Sequence, residues 1–334
     1  MAALRVAISY HLNFFLFRVF FMFHGFISID KPPIITAHDC VSKLRKLLKQ
    51  KKIGHGGTLD PMATGVLPIA VGNATRLLRF LPEGKAYNAK IRFGVVTNTD
   101  DITGKVLNDR PCPNLTLETV EKYLPLFQGK ISQRPPAFSA IWINGERMYN
   151  LARRGEIAEA DIPMRSVEIT EISVLGWTGG DYPELDVAIA CGSGTYIRAI
   201  ARDLGEHLGC GATLSGLQRT YSNGFDLESS LSFEQIADLL RSGDLEVLAP
   251  DHGLHLLPML ELDEDQTQRW RMGQAIAIET KELLEKDHND DPKVISQYTI
   301  SQYTRMYDHE QKFLGVGEFG EAGNQPIVVL YPIN

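Results

Sequence analysis

The residues whose types and spacing could do chemistry lie in one run, Gly54-His55-Gly56-Gly57-Thr58-Leu59-Asp60-Pro61-Met62-Ala63-Thr64-Gly65-Val66-Leu67-Pro68. Gly54, Gly56 and Gly57 let the backbone come close to a partner, and Pro61 biases Asp60 toward an extended conformation. A single carboxylate is thereby held on a short, constrained loop, where it can serve as nucleophile or base. The same spacing also suits a turn aspartate that hydrogen-bonds its own backbone. Glycoside hydrolysis asks for a second acid at a set separation, which the run does not supply.

Other chemistries find little support. Cys40, Cys112, Cys191 and Cys210 are scattered without a CxxC pair, and the nine histidines contain no HExxH. Neither a zinc site nor a disulfide framework is expected, and a reducing cytoplasm fits. Gly54 and Gly56, like Gly192 and Gly194, put Leu59 and Ile197 where a dinucleotide motif needs its third glycine. No metal and no cofactor is therefore expected. The net charge of −7 is unevenly spread: residues 1 to 100 hold 14 Lys/Arg against 5 Asp/Glu, or +9, leaving −16 for the rest. Such a basic front half can attract phosphates, although the same charges also suit a solvated helix face.

The elements that must position the loop are read from periodicity. A strand is expected at Phe26 to Asp30, then a helix opened by Thr36 with Asp39 at capping-box spacing, with Val41, Leu44 and Leu48 on one face. Lys43, Lys46 and their basic neighbours occupy its other faces. Ala74 to Leu81 reads as helical. Tyr87, Ala89, Ile91 and Phe93 alternate with polar residues as in a half-buried strand. Leu185 to Cys191 reads as a strand, turned at Gly192-Ser193-Gly194 into a helix with Ile197, Ile200, Ala201, Leu204 and Leu208 inward. Ser232 and Gln235 cap another helix. Strands and helices mix without a regular βαβ rhythm, which gives an α+β fold.

The loop resembles the GxLDPxATGxLP signature of the TruB family of tRNA pseudouridine synthases. The similarity continues through Ile29-Asp30-Lys31-Pro32, Gly72-Asn73-Ala74-Thr75-Arg76, Lys85-Ala86-Tyr87, Pro136-Ala137-Phe138-Ser139-Ala140, Gly194-Thr195-Tyr196-Ile197-Arg198 and Leu204-Gly205-Glu206-His207-Leu208-Gly209. Ile34 and Ala37 depart from the glycine and serine usual after Lys-Pro. The resemblance implies a pseudouridine-synthase catalytic fold with a mixed, mainly antiparallel central sheet, plus a small β-rich PUA-like domain. It implies isomerisation of uridine-55 in the T-arm of tRNA by a monomeric cytoplasmic enzyme that flips its base.

By the same resemblance Asp60 is the catalytic carboxylate and Arg198 the arginine that pairs with it. Tyr87 stacks on the flipped uracil and assists proton removal from C5, Leu217 closes the pocket, and His55 fills the place the nucleotide leaves. Residues 133–155 match an RNA-gripping thumb with Arg147, Arg153 and Arg154, and Lys43 and Lys46 are further expected phosphate contacts. The competing readings are a guide-RNA-dependent pseudouridine synthase, with a fuller PUA domain, and a non-catalytic RNA-folding protein, indifferent to Asp60.

The expected domains are 25–250 for catalysis and 251–334 for the PUA-like unit, with a polar insertion at about 280–312 containing two Ile-Ser-Gln-Tyr-Thr repeats. Residues 1–24 are apolar, yet His11, Asn13, Arg18 and His24 interrupt them before the length of a membrane span. They also lack a secretory cleavage site, so a natural start at Met22 and no membrane association are expected.

Overall fold

A computed structural model describes residues 22–143, 145–277, 302–320 and 323–333. The expectations for residues 1–21 and for most of the polar insertion fall outside the described residues.

The strands are β1 Gly25–Lys31, β2 Ile53–His55, β3 Thr64–Val71, β4 Lys85–Phe93, β5 Val95–Thr97, β6 Val106–Asp109, β7 Gly129–Gln133, β8 Trp142–Ile143 and β9 Glu146–Arg147. They continue with β10 Arg165–Thr178, β11 Glu184–Cys191, β12 Ala212–Ser222, β13 Phe225–Asp226, β14 Met259–Leu262, β15 Tyr303–Asp308, β16 Phe313–Gly320 and β17 Gly323–Val329. The central sheet runs β1-β3-β12-β4-β11-β10-β7, with β2 on β3 and β13 on β12. Every pairing in it is antiparallel except β3 with β12.

That parallel contact is short, Thr64 opposite Gln218 and Gly65 opposite Arg219, while β2 holds the other end of the same edge of β3. The loop carrying Asp60 therefore leaves the sheet where β2 and β12 part. A Cβ on Gly65 would lie 2.2 Å from the Arg219 carbonyl oxygen, and Gly65 has φ +97°, so only glycine permits this junction.

The alternation in β4 buries Tyr87, Ala89, Ile91 and Phe93 against the helix Ile197–His207, which contributes Ile197, Ile200, Ala201 and Leu204. The helix Ala37–Leu47 has its Thr36–Asp39 capping box, and the helix Phe233–Ser242 has the Ser232–Gln235 box. Both cover one face of β1 and β3 through Val41, Leu44, Phe233 and Ile236. The segment expected as a helix from Ala74 to Leu81 instead forms two 3-10 pieces, Gly72–Arg76 and Leu78–Phe80. Their side chains are committed elsewhere: Asn73 Nδ2 donates to Leu330 O at 2.6 Å, and Arg76 donates to Val329 O and Ile327 O at 3.2 and 3.0 Å.

Those bonds join the central sheet to a second sheet, ordered β14-β15-β16-β17. One apolar cluster spans both, with Phe26, Val66, Ala70, Ala74 and Leu77 against Tyr307, Phe313, Val316, Val328 and Leu330. The polar insertion ends earlier than expected. The segment Tyr303–Asp308, which takes in Tyr303 and Thr304 of the second repeat, is an inner strand with Thr304 and Met306 fully buried. Short alternating runs with polar residues on one phase read as loop from composition, whereas burial on both sides of the sheet makes them strand.

Candidate active site

The Asp60 backbone is fixed by hydrogen bonds within and around its loop. Ala63 N–H closes a turn onto Asp60 O at 3.1 Å, and Gly56 N–H donates to Pro68 O at 2.8 Å. Arg219, fully buried, donates from Nε to Val66 O at 2.7 Å and from its two amino groups to Thr58 O and Gly57 O at 3.3 Å each. Lys31, also fully buried, caps the carbonyls of Pro32, Ile35 and Pro61 at 2.9, 2.7 and 3.2 Å. Burial holds its basicity below the usual lysine value, partly offset by nearby acidic groups including Asp60. Ile34 N–H adds a 2.7 Å bond to Pro61 O, which requires Ile34 to adopt φ +79°. The turn is thus kept despite the missing glycine, with strain of about 1–2 kcal/mol for a β-branched residue there.

Arg198 meets the loop from the first turn of its helix. Gln133 holds the start of that turn, accepting from Tyr196 N–H at 2.8 Å and donating to Tyr196 O at 3.1 Å. One Arg198 amino group donates to Asp60 Oδ1 at 3.0 Å and Nε stands 2.9 Å from Oδ2, an ion contact outside hydrogen-bond alignment. The guanidinium also donates to Thr99 O at 3.0 Å and Phe138 O at 3.2 Å, and lies 3.7 Å from Asp101 Oδ2. Asp101 is itself buried and accepts from Thr99 Oγ1, Thr103 N–H and Thr103 Oγ1. A chain of charge therefore runs from Asp101 through Arg198 to Asp60, and the Asp60 side chain is 31% exposed while that of Arg198 is 5% exposed.

Tyr87, Leu59, Ala63, Ile197 and Leu217 belong to one apolar cluster beside this pair. Burial pushes the Tyr87 phenol up to about 12, opposed by the neighbouring Arg219 charge. His55 is half-buried at the loop entrance, where its Nδ1 accepts weakly from Gly57 N–H at 3.4 Å. Burial, then the charge of Arg219, keeps its imidazole less basic than usual.

The expected RNA contacts stand outside this cluster. Lys43 and Lys46 are exposed on the helix Ala37–Leu47, Lys43 lying 4.1 Å over the Phe233 ring. The thumb packs Ile141, Met148 and Ile162 beneath β8, β9 and the helix Met148–Arg154. Arg147 stacks over Trp142 and Arg153 over Tyr149, while Arg154 is held by Glu146 and Glu156 at 2.7 and 2.8 Å. Arg154 is thus already ion-paired, whereas Arg153 makes no ion pair among the described residues.

Three residues close to the carboxylate do not stand out as site residues in the sequence. Asp101 sits in a Thr-Asp-Asp-Ile-Thr-Gly turn that reads as solvated loop, and its partner is remote in the chain. Lys31 belongs to a segment of the family pattern without carrying a role in it, and Arg219 lies two positions after Leu217. A lysine and an arginine within strands are the available signal, since such residues are almost never fully buried without a fixed partner.

No group of three or more His, Cys, Asp or Glu among the described residues could hold a metal, and no helix among them is long and apolar enough to cross a membrane. The fold is that of a pseudouridine synthase. The chain superposes on a crystal structure of a Cbf5-Nop10-Gar1 complex with a TM-score of 0.64 at 23% identity, covering 92% of this chain and 85% of that one. A structure of an H/ACA RNP bound to a substrate RNA containing 2'-deoxyuridine gives the same TM-score at 21% identity, covering 92% and 86%.

Sequence similarity then narrows the class. The model of the TruB family pseudouridylate synthase N-terminal domain matches residues 45–197, that of the tRNA pseudouridylate synthase B C-terminal domain 198–259, and that of the pseudouridine synthase II TruB C-terminal region 258–330. A tRNA pseudouridine synthase B of Trichormus variabilis is 48% identical over 311 residues, covering 93% of this chain and 99% of that protein. Its counterpart in Acaryochloris marina is 46% identical over 306 residues, covering 92% and 98%. The chain belongs to the TruB family of tRNA pseudouridine synthases, enzymes of the isomerase class.

Proposed function

We propose that the chain converts uridine-55 in the T-arm of tRNA to pseudouridine, with Asp60 as the catalytic carboxylate. The observation that carries this is the Asp60–Arg198 ion pair, one side locked by a buried guanidinium and the other open beside an apolar wall. The reaction breaks the N1–C1′ bond, turns the uracil, joins C5 to C1′ and moves the proton from C5 to solvent while N1 gains one. Nothing is added or lost. A single carboxylate suffices, whether it attacks the sugar or the ring or assists glycal formation.

Tyr87 acts in this scheme as a neutral phenol. With its pKa raised to about 12 it offers a flat, apolar face for the flipped uracil and a hydroxyl donor. It is largely protonated near neutrality, and the C5 proton passes to solvent. Leu217 packs from the adjoining strand, and His55 takes the nucleotide's vacated place. In this scheme the residues 25–250 and 251–334 serve as catalytic and RNA-binding units of a monomer.

The test is tRNA tritiated at uracil C5, since joining C5 to C1′ must release that hydrogen. Release from a T-arm stem-loop alone, and none when uridine-55 is replaced by cytidine, is expected. Release that persists after that replacement would move the target elsewhere. Turnover of the bare stem-loop without any second RNA would also set aside a guide-dependent enzyme.

A further inference from the structure

Beside Gly57 two cations, Arg219 and Lys85, stand without an ion-paired partner among the described residues. Arg219 is fully buried and gives its guanidinium to three backbone carbonyls; among the described residues it forms no ion pair. Lys85, at the start of β4, faces Cys191 on one side and Ser222 on the other in the strand register. A Cβ on Gly57 would stand 3.7 Å from an Arg219 amino nitrogen and 3.8 Å from Lys85 Cε, so both cations flank the same bare glycine. Among the described residues no group hydrogen-bonds or ion-pairs with the Lys85 ammonium. Its basicity is depressed by burial first and by the Arg219 charge second, with Cys191 and then Glu83 acting in the other direction.

Like charges near one another repel, and burial strengthens that repulsion. Arg219 is needed where it is, because it fixes the loop. Lys85 has no such structural duty, and its half-buried stem keeps the ammonium at the site. We infer that Lys85, backed by Arg219 and given room by Gly57, binds one phosphate of the substrate RNA next to the nucleotide presented to Asp60. This rests on the function proposed above. A nucleotide turned out of its stack brings its flanking phosphates along, and these are the anions the site can count on meeting. Lysine meets a single phosphate oxygen as a point charge, and no side chain at position 57 occupies the space between.

The experiment is a methylphosphonate scan of an unmodified T-arm stem-loop, replacing one charged linkage at a time, with affinity measured for the wild type, Lys85→Gln and Lys85→Arg. One linkage beside the target uridine should cost the wild type about tenfold when neutralised, and cost Lys85→Gln nothing further. The salt dependence of Lys85→Gln binding should be shallower by about 0.7 log unit per log of salt, and Lys85→Arg should keep the wild-type pattern. Because the ammonium makes no bond in the free protein, both variants should melt within a few degrees of the wild type. Equal costs in wild type and Lys85→Gln at every linkage, or an unchanged salt slope, would overturn the assignment. Tritium release is read separately on the unsubstituted RNA, so a failure of the isomerase reading is visible apart from this result.

Discussion

A carboxylate that must react cannot be satisfied on every side, yet it must not wander, and Asp60 meets both demands by being gripped along one edge. Arg198 reaches Asp60, Thr99 and Phe138 at once from a planar fork. A lysine ammonium cannot span those three directions. Arg198→Lys should lower single-turnover tritium release by about ten- to a hundredfold, the worth of one charge-assisted bond, with tRNA affinity near wild type. Asp101→Asn, which leaves Arg198 without its second carboxylate, should lower the same rate in the same direction by a smaller factor. An unchanged rate in Asp101→Asn would show that the carbonyls alone hold the guanidinium. Tyr87 separates the mechanisms by pH. Burial raises its pKa, so its phenolate form gains tenfold for each unit up to about 12. A phenolate base would make the rate climb with unit slope through alkaline pH; a neutral stacking phenol predicts a flat profile from about pH 7 to about pH 9.

At the scale of elements, the site is a junction. The loop leaves β2 and rejoins the sheet at β3 where β12 begins its two-residue parallel contact, so Asp60, Leu217 and Arg219 arrive together from distant parts of the chain. Much of this was legible locally: the Thr36 and Ser232 caps, the alternation that sinks Tyr87, and the amphipathic helix behind Arg198 all depend on neighbours within a few positions. What local pattern could not show depends on remote partners. Asp101 becomes important only through a guanidinium 97 positions away, and the 3-10 segment at Gly72 takes its shape from carbonyls of β17 and Leu330. Ile34 lies between these cases, since its sequence departure was visible but its consequence was not. It is 85% exposed at φ +79°, so its side chain contributes almost no burial to offset the strain. Ile34→Gly should stabilise the protein by about 0.5–1 kcal/mol while keeping the bond to Pro61 O. A lower melting temperature in that variant would mean that the side chain makes contacts worth more than the strain.

Over the whole molecule, the two sheets share one apolar cluster and are tied by Asn73 and Arg76 to the backbone at the end of β17. Tyr307 also donates to Asp251 at 2.6 Å, which ties the second sheet to the chain that leads into it. Sheets joined this way should unfold together, giving a single calorimetric transition. Asn73→Ala combined with Arg76→Ala should lower its temperature or split it in two; an unaltered single transition would show that the apolar cluster alone couples the units. The proposed chemistry takes place at one carboxylate. The most direct measurement is therefore made with Asp60→Asn, which keeps the size of the side chain and removes its charge. Single-turnover release of tritium from tRNA labelled at uracil C5 should fall below detection while affinity for that tRNA stays within a few-fold of wild type. Retention of more than a few per cent of the wild-type rate would contradict the assignment of Asp60 as the catalytic group.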